Sequence, residues 1–368
     1  MENIDIFELL YPTYKIKKPI RLIELFAGIG SQAKALEILG TNFEHYQVVE
    51  FDKYAIASYN AIHNTNFLPT DITKISADDL NIVYTDKYDY VLTYSFPCQD
   101  LSLAGKRKGM EKGNNTRSGL LWEVERILCE CIELPQILLM ENVPQVLGSA
   151  NAKDFRKWQL KLEELGYSNY VSLLNSKDYG IPQNRNRCFM ISVLGQYNYT
   201  FPKPIPLKLR LKDLLEKEVD EKYYLSKTHL NNFLKHRKDV EDDVCEVKQL
   251  GNCMPSKNRD NPNQGRIYDV DGLSPTITTM EGGNRQPMII EEPITRADGI
   301  TDGGVILNQS RIRKLTPLEC WRLMGFSDQD FYKAAKVNSN SHLYKQAGNS
   351  IVVNVLVAIF QQFLEELK

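Results

Sequence analysis

The sequence has almost no net charge and no long apolar run. Its 45 lysine and arginine residues nearly balance 47 aspartate and glutamate residues, which gives a formal net charge of −2. Proteins that bind nucleic acid usually carry a basic excess, so the composition by itself gives no sign of a polyanionic partner. No stretch reaches the roughly 18 uninterrupted apolar residues of a membrane span, and the acidic segment 1–5 is unlike a secretory signal. We therefore expect a cytoplasmic protein that does not associate with membranes.

Paired cysteines, internal repeats and low-complexity tracts are also missing. The seven cysteines are odd in number, and none of them shows the CxxC spacing. Paired cysteines of that kind are the usual sign of a zinc site or a disulfide framework. We expect no metal site, and most of these thiols should be reduced and buried. What remains is a chain with 42% hydrophobic and 25% charged residues, which is typical of globular domains.

Residues 20–194 alternate short β-rich runs with helical stretches, as in βαβ units on a parallel sheet. The predicted strands are 21–26, 46–50, 88–96, 136–141, 167–174 and 187–193. The predicted helices between them are 32–39, 53–63, 119–131 and 155–165. This order predicts a doubly wound α/β domain of the kind that binds nucleotides.

The composition changes near residue 196. The segment 201–206 contains three prolines, which block a helix or a central strand and indicate a linker. Residues 251–304 are rich in glycine, asparagine, proline and aspartate, with short strand candidates at 266–270, 276–280 and 287–290. A second, loop-rich domain is therefore expected.

Helical periodicity returns towards the end of the chain. A helix is predicted over 317–325, with Thr316 as its N-cap and Pro317 at its first position. The last predicted helix, 351–367, is apolar enough to pack against a sheet.

A glycine-containing turn follows the first predicted strand. Gly28 and Gly30 lead into a helix, and glycine lets the main chain approach a ligand next to helix N–H donors. Together with Ala33 and with Glu50 about twenty residues later, the segment also fits a dinucleotide fingerprint in which the acid binds ribose hydroxyls. The pattern predicts a ribose-bearing cofactor without saying which one, and a tight turn without any ligand also uses glycine.

A single cysteine stands at the end of the third predicted strand, where ligands bind in open α/β sheets. Pro97 prevents continuation of the strand, and Cys98 is followed by a polar loop, 100–113, that contains the basic run 106–108. A thiol beside positive charge should have a depressed pKa and act as a nucleophile. The alternative is an ordinary core cysteine.

A carboxylate ends the next predicted strand. Glu141 follows four apolar residues, and apolar surroundings raise the pKa of a carboxyl group, so Glu141 is a candidate general acid near neutral pH. The alternative is an acid that caps the following segment.

Two arginines open the last predicted strand of the first domain. With a period of two, Gln183, Arg185 and Arg187 should point to one face. Two guanidinium groups on one face predict a bound anionic group, and the alternative is a surface pair with acidic neighbours.

In this order, these motifs resemble those of the C5-cytosine DNA methyltransferase family of bacteria and phages. The matching segments are Phe26-x-Gly28-x-Gly30, Pro97-Cys98-Gln99, Glu141-Asn142-Val143, Gln183-x-Arg185-x-Arg187, 313–320 and 348–351. The chain departs from the family at Glu24, where aspartate is more usual, and at Ser31, which replaces a common glycine. The resemblance implies a Rossmann-like, S-adenosylmethionine-dependent domain in 1–195 plus 345–368, and a smaller target-recognition domain with the hinge in 196–344.

The resemblance also implies which residues hold S-adenosylmethionine. Glu50 would bind the ribose hydroxyls, Phe51 would stack on adenine, and the C-terminal motif would close the site. The residues implied at the cofactor are Phe26, Gly28, Gly30, Glu50, Phe51, Asp71, Ile72, Pro97, Asn349 and Ser350.

The implied reaction is methyl transfer to C5 of cytosine in a specific duplex DNA sequence. Cys98 would add to C6, Glu141 would stabilise the charge at N3, Arg185 would bind the carbonyl oxygen and Arg187 would orient Glu141. Since C6 is inaccessible in stacked DNA, the base must be flipped out. The residues implied to contact DNA are Gln99, Ser102, Arg107 and Thr276.

Three other functions compete with this one. The same fold could methylate cytosine in RNA, the glycine turn could serve an NAD-dependent oxidoreductase, or the protein could bind DNA without catalysis. A monomer is expected, working either beside a restriction endonuclease of the same specificity or alone. The basic residues at 106–117 predict a local basic cleft despite the neutral total.

Overall fold

The computed structural model describes residues 11–97, 110, 117–235, 246–255, 261–280, 283–291 and 310–365. The chain divides into two compact units. The first contains 1–175, 186–204 and 351–368, and the second contains 176–185 and 205–350. Compared with the predicted domains, residues 176–185 and 345–350 belong to the second unit, and residues 196–204 belong to the first.

A six-stranded sheet forms the centre of the first unit, in the order β2-β1-β3-β4-β6-β5. Its strands are β1 Ile20–Leu25, β2 Phe43–Val49, β3 Asp89–Tyr94, β4 Ile137–Asn142, β5 Tyr167–Asn175 and β6 Asn186–Leu194. Strands β3 and β4 are buried along their whole length, as their mainly apolar sequences predict for strands covered on both faces. The predicted doubly wound α/β fold is therefore confirmed.

The pairing is parallel from β2 to β4 and antiparallel at the other edge. Strand β6 runs antiparallel to both β4 and β5. A parallel neighbour needs a long crossover, whereas only residues 176–185 separate β5 from β6. Only β6 runs against the other five strands, so the expectation of an entirely parallel sheet was wrong at β6.

The described helices of the first unit are α1 Ser31–Ile38, α2 Lys53–His63, α3 Ala77–Leu80, α4 Leu121–Glu130, α5 Ala152–Glu164 and the final helix, α10 Val353–Gln361. Helices α1, α2, α4 and α5 lie within a few residues of the predicted ones. Helix α3 was not predicted, and α10 ends before the predicted residue 367. Short 3₁₀ turns lie at Ile72–Lys74, Ser118–Leu120 and Pro144–Leu147. Helix α10 packs against α1, so the apolar end of the chain completes the first unit.

The second unit has a four-stranded sheet in the order β10-β9-β8-β7. Its strands are β7 Gln249–Asn252, β8 Arg266–Tyr268, β9 Met288–Glu291 and β10 Arg311–Lys314. Its described helices are α6 Lys227–Lys235, α7 Pro317–Arg322, α8 Asp328–Ala335 and α9 Asn340–Asn349, and its 3₁₀ turns are Ser176–Tyr179, Leu211–Leu214 and Glu221–Tyr223. As predicted, Thr316 caps α7: its hydroxyl accepts from the Glu319 N–H at 3.2 Å.

The strand predicted over 276–280 does not form. Pro275 has no N–H to donate to a ladder, and Met280 has a positive φ of 50°, which no strand allows. Side chains take the place of a neighbouring strand, because Gln183 accepts from the Ile277 N–H and Arg185 donates to the Ile277 carbonyl.

Residues Asn340–Gln361 are long and apolar enough to cross a membrane by length and composition alone. Two helices share this stretch, and 67% of its most apolar window is buried within the protein. The core helices of soluble proteins pass the same test, so the stretch is weak support for a membrane span.

Candidate active site

In the turn after β1, every second residue has a left-handed main-chain conformation. Phe26, Gly28 and Gly30 have φ values of 60°, 56° and 81°. This conformation is uncommon for phenylalanine, and it is held because the N–H groups of Phe26 and Ala27 both donate to the Val49 carbonyl, at 2.7 and 3.2 Å. A Cβ built on Gly28 would meet no atom within 4 Å. The turn therefore leaves open space in which a ligand can approach the main chain.

Glu50 lies directly beside this turn. Its Oε2 accepts from the Gly28 N–H at 2.9 Å, and its Oε1 accepts from the Asp52 N–H at 2.7 Å. Burial raises the pKa of Glu50. Both oxygens retain lone pairs for further donors, so this carboxylate fits the two hydroxyl groups of a ribose.

A cavity of about 580 Å³ is lined in part by Phe51 and Asp71, two of the residues implied at the cofactor. Phe51 is 75% exposed, so its ring face is available for stacking. Hydrogen bonds from the N–H and hydroxyl of Thr73 lower the pKa of Asp71. Ile72 is buried in the core instead. The cavity is lined by Gln47, Val48, Val49, Phe51, Pro69, Thr70, Asp71, Lys74, Ile75, Asp79 and Leu80.

Two side chains fix the main chain where it leaves β3. Asn142 donates to the Phe96 carbonyl at 3.0 Å, and Ser118 donates to the Pro97 carbonyl at 2.7 Å. Sequence reasoning assigned no role to either residue, although Asn142 belongs to a quoted motif. Cys98, Gln99, Ser102 and Arg107 lie outside the described residues. Phe96 is thus anchored to the end of β4, and Pro97 is anchored to the 3₁₀ turn Ser118–Leu120.

Glu141 and Arg187 form an ion pair in the first unit. Arg187 Nε lies 3.1 Å from Glu141 Oε1, and the two side chains are 16% and 10% exposed. They lie on the adjacent antiparallel strands β6 and β4. The pair keeps the carboxylate oriented while leaving part of it accessible.

Arg185 is placed differently from the prediction. Strand β6 begins at Asn186, so Arg185 lies just before the strand that it was predicted to open, and the common face with Arg187 stays a prediction. Its guanidinium donates to the carbonyl oxygens of Ile277, Gly348 and Ser350 at 2.7, 2.9 and 2.8 Å. Within the second unit, Arg185 joins the 274–280 segment to the end of α9.

The remaining predicted residues also lie in the second unit. Thr276 is exposed, and its hydroxyl donates to the Asn184 carbonyl at 2.6 Å. Asn349 is exposed, and Ser350 is buried with its hydroxyl donating to the Gln346 carbonyl at 2.7 Å. A Cβ on the neighbouring Gly348 would lie 2.2 Å from the Thr278 carbonyl, so only glycine allows this close approach of two main-chain segments.

The order and geometry of these motifs agree with one family. Residues 20–365 match the family described as C-5 cytosine-specific DNA methylase. The chain belongs to this family. It is a DNA cytosine-5-methyltransferase, and its methyl donor is S-adenosylmethionine. The predicted family, enzyme class and cofactor are confirmed, and the NAD-dependent oxidoreductase is ruled out.

Sequence relatives of this methyltransferase span nearly its whole length. The orphan methyltransferase M.SPBetaI of Bacillus phage SPbeta is 33% identical, covering 94% of this chain and 97% of that protein. The type II methyltransferase M2.ScrFI of Lactococcus lactis is 34% identical over 94% of this chain and 99% of that protein. The type II methyltransferase M.HhaI of Haemophilus parahaemolyticus is 34% identical, with 92% of each covered.

Solved structures share the fold of this methyltransferase. The Entamoeba histolytica methyltransferase EhMeth has a TM-score of 0.70 at 18% identity, covering 96% of this chain and 100% of that one. The S. pombe Dnmt2 methyltransferase has a TM-score of 0.66 at 21% identity, covering 95% and 100%. At these identities the likeness concerns the fold alone.

Proposed function

We propose that the enzyme flips a cytosine out of duplex DNA and methylates it through a covalent bond between Cys98 and C6. The observation that carries this proposal is the ion pair between Glu141 on β4 and Arg187 on β6. Asn142, the residue after Glu141, hydrogen-bonds Phe96 in the segment that leads to Cys98. Addition to a pyrimidine ring requires an acid that is held in a defined orientation, and this ion pair supplies that orientation for Glu141.

Each side chain then has a defined task. The Cys98 thiolate forms a bond to C6, and a proton shared between Glu141 and N3 neutralises the charge that develops on the ring. S-adenosylmethionine, held by Phe26, Gly28, Glu50, Phe51 and Asp71, would supply the electrophilic methyl group. C5 takes this methyl group as the S–CH₃ bond breaks and S-adenosylhomocysteine leaves. Loss of the C5 proton to a base then lets the electron pair expel the thiolate and restores the aromatic ring.

Four of the five cysteines in the described part of the chain are poor candidates for the nucleophile. Burial raises the pKa of Cys188 to about 12, with the nearby Glu141 charge acting in the same direction. Burial also raises the pKa of Cys131 and of Cys253 to about 11, and that of Cys320 well above its usual value. These four thiols stay protonated at neutral pH and are poor nucleophiles.

The two arginines are predicted to have different roles. Replacing Arg187 with methionine should lower kcat by about 10²-fold, because Glu141 loses the partner that orients it. Replacing Arg185 with methionine should instead destabilise the second unit by about 3 kcal/mol or more, because three main-chain carbonyls lose a charged donor. Methyl-transfer kinetics and urea unfolding of both variants distinguish the two effects. A stable Arg185→Met enzyme with a reduced kcat would return Arg185 to the catalytic set.

The second unit is proposed to recognise the DNA sequence, with Thr276 contacting the DNA backbone. Asn252 is not available for base contacts, since it is 3% exposed, its amide donates to the Pro262 and Gln264 carbonyls, and its oxygen accepts from the Met254 N–H. The polar residues left for base edges in the described chain are the exposed ones, such as Arg285.

We further propose that the protein acts in the cytoplasm as a monomer on duplex DNA, either alone or beside an endonuclease of the same specificity. Expression in a methylation-free bacterial host, followed by bisulfite sequencing of total DNA and RNA, tests the substrate. We expect 5-methylcytosine at one short DNA sequence. Conversion-resistant cytosines in RNA and none in DNA would contradict the proposal and favour the RNA alternative.

A further inference from the structure

His63, the last residue of α2, lies beneath the cofactor turn. Its side chain is fully buried, and its Nε2 lies 3.2 Å from the Ile29 carbonyl oxygen. A Cβ on Gly30 would fall 2.3 Å from the same nitrogen. The imidazole therefore occupies the space that the side chain of residue 30 would need, in direct contact with the main chain of the turn.

The opposite ring nitrogen of His63 is also fixed. Nδ1 lies 2.5 Å from Glu37 Oε1, and the other oxygen of Glu37 lies 2.5 Å from Lys34 Nζ. Burial by itself would raise the pKa of Glu37. Hydrogen bonds from His63 and Lys34 outweigh this effect and lower the pKa to about 2. Glu37 is thus a carboxylate that can only accept, so Nδ1 donates to it. The Ile29 carbonyl also only accepts, so a hydrogen bond from Nε2 requires that the ring carry a proton on both nitrogens.

Further aromatic side chains prevent the ring from moving. The rings of Tyr59 and His63 have centroids 4.6 Å apart, and those of His45 and His63 are 5.1 Å apart. Tyr59 is itself held, because its hydroxyl donates to buried Glu24 at 2.5 Å and contacts His45 Nδ1 at 2.8 Å. Glu24, at the position where the family more usually has aspartate, thereby holds the Tyr59 ring against His63.

The nearby Glu37, His45 and His63 side chains also form a candidate cation site, with their ligand atoms within 4.8 Å of one another. The 2.5 Å between His63 Nδ1 and Glu37 Oε1 is the length of a direct hydrogen bond, whereas two ligands of one tetrahedral zinc ion lie about 3.3 Å apart. The geometry therefore favours a proton between these two atoms over a metal ion.

We infer that His63 is a positioning residue for S-adenosylmethionine, acting through the Ile29 carbonyl to hold Gly28 and Gly30 in their left-handed conformations. Glycine peptides rotate easily, so a free Ile29 carbonyl would let the turn change conformation and move the Gly28 N–H away from Glu50. The inference rests on the proposed cofactor site. It predicts an effect on cofactor binding and not on the chemical step.

Two substitutions of His63 distinguish the contribution of Nε2 from that of Nδ1. The amide of His63→Gln can reach the Nε2 position and retains the donor to Ile29, whereas the shorter amide of His63→Asn can reach only the Nδ1 position and retains the bond to Glu37. We expect His63→Asn to raise the Kd of S-adenosylhomocysteine and the KM for S-adenosylmethionine about tenfold, with kcat within about twofold of wild type. His63→Gln should stay within about threefold in Kd.

Calorimetric titration with S-adenosylhomocysteine and thermal unfolding without ligand measure these effects. Equal losses of affinity in both variants, or a lower kcat at unchanged KM, would overturn the inference. A zinc-dependent rise in the melting temperature of the wild type that is absent in His63→Asn would also overturn it, by assigning the cluster to a cation. If His63→Asn does not fold, ¹⁵N spectra of histidine-labelled wild type decide, since an unprotonated His63 Nε2 contradicts the role.

The Glu50→Gln variant keeps this test separate from the proposed cofactor site. If Glu50→Gln weakens binding and His63→Asn does not, only the role of His63 fails. If Glu50→Gln binds S-adenosylhomocysteine as tightly as wild type, the cofactor site itself is wrong.

Discussion

Replacing Cys98 with alanine should abolish methyl transfer, with a loss of about 10⁴-fold or more. Cytosine is not nucleophilic at C5 until a group adds at C6, and removal of a covalent nucleophile leaves only the residual contribution of binding. The Kd of S-adenosylhomocysteine should stay within about twofold, because the cofactor contacts proposed for Glu50 and Phe51 do not involve the thiol. Transfer of a labelled methyl group to DNA and calorimetric titration measure the two quantities.

A mechanism-based substrate sharpens this experiment. Fluorine at C5 cannot leave as a proton does, so duplex DNA with 5-fluorocytosine at the target should trap the wild type as a covalent adduct that survives denaturing electrophoresis. Cys129→Ala is the matched control, because Cys129 is an exposed cysteine of the same unit, and it should form the adduct at the wild-type rate. An adduct on the Cys98→Ala protein, or methylation by it, would remove Cys98 from the mechanism.

Replacing Glu319 with glutamine should destabilise the second unit by about 3–5 kcal/mol. Glu319 and Arg313 are both fully buried and form a bidentate pair, with Arg313 donating at 2.8 Å to each carboxylate oxygen. Each oxygen also accepts a main-chain N–H, from Thr316 at 2.8 Å and from Glu216 at 2.9 Å. In the Glu319→Gln variant, the amide NH₂ would replace one of these oxygens and face two donors with no acceptor between them. The variant would also leave buried Arg313 without the negative charge of Glu319.

A second arginine–carboxylate pair of the same unit is the control. Arg322 and Asp328 also form a bidentate pair, at 2.7 Å for both bonds, but Asp328 is 45% exposed. Asp328→Asn should therefore cost at most about 1 kcal/mol, because water solvates both groups when the pair breaks. Urea unfolding followed by tryptophan fluorescence measures both variants. Equal losses in the two variants would show that burial is not what makes the Glu319 pair important.

Local patterns predicted the elements of the first unit well. The mainly apolar sequences of β3 and β4 and the periodicity of α2 depend on neighbours in the sequence, and all three elements lie within a few residues of their predicted bounds. The strand predicted at 276–280 failed because a strand needs a partner. Gln183 and Arg185 satisfy the main chain there, and no local pattern shows contacts with residues more than ninety positions away.

The sequence by itself determined the order of the motifs and, through their resemblance to a family, the enzyme class and the cofactor, because the motifs depend on residue types at fixed spacing along the chain. It also placed Glu50 and Glu141 at strand ends. Only the tertiary structure decided which side chains meet. It paired Glu141 with Arg187, bound Arg185 to three carbonyls, and put His63 beneath the Gly28–Gly30 turn. Side-chain partners depend on where distant strands and helices bring the chain together, and a period of two or 3.6 residues contains no such information.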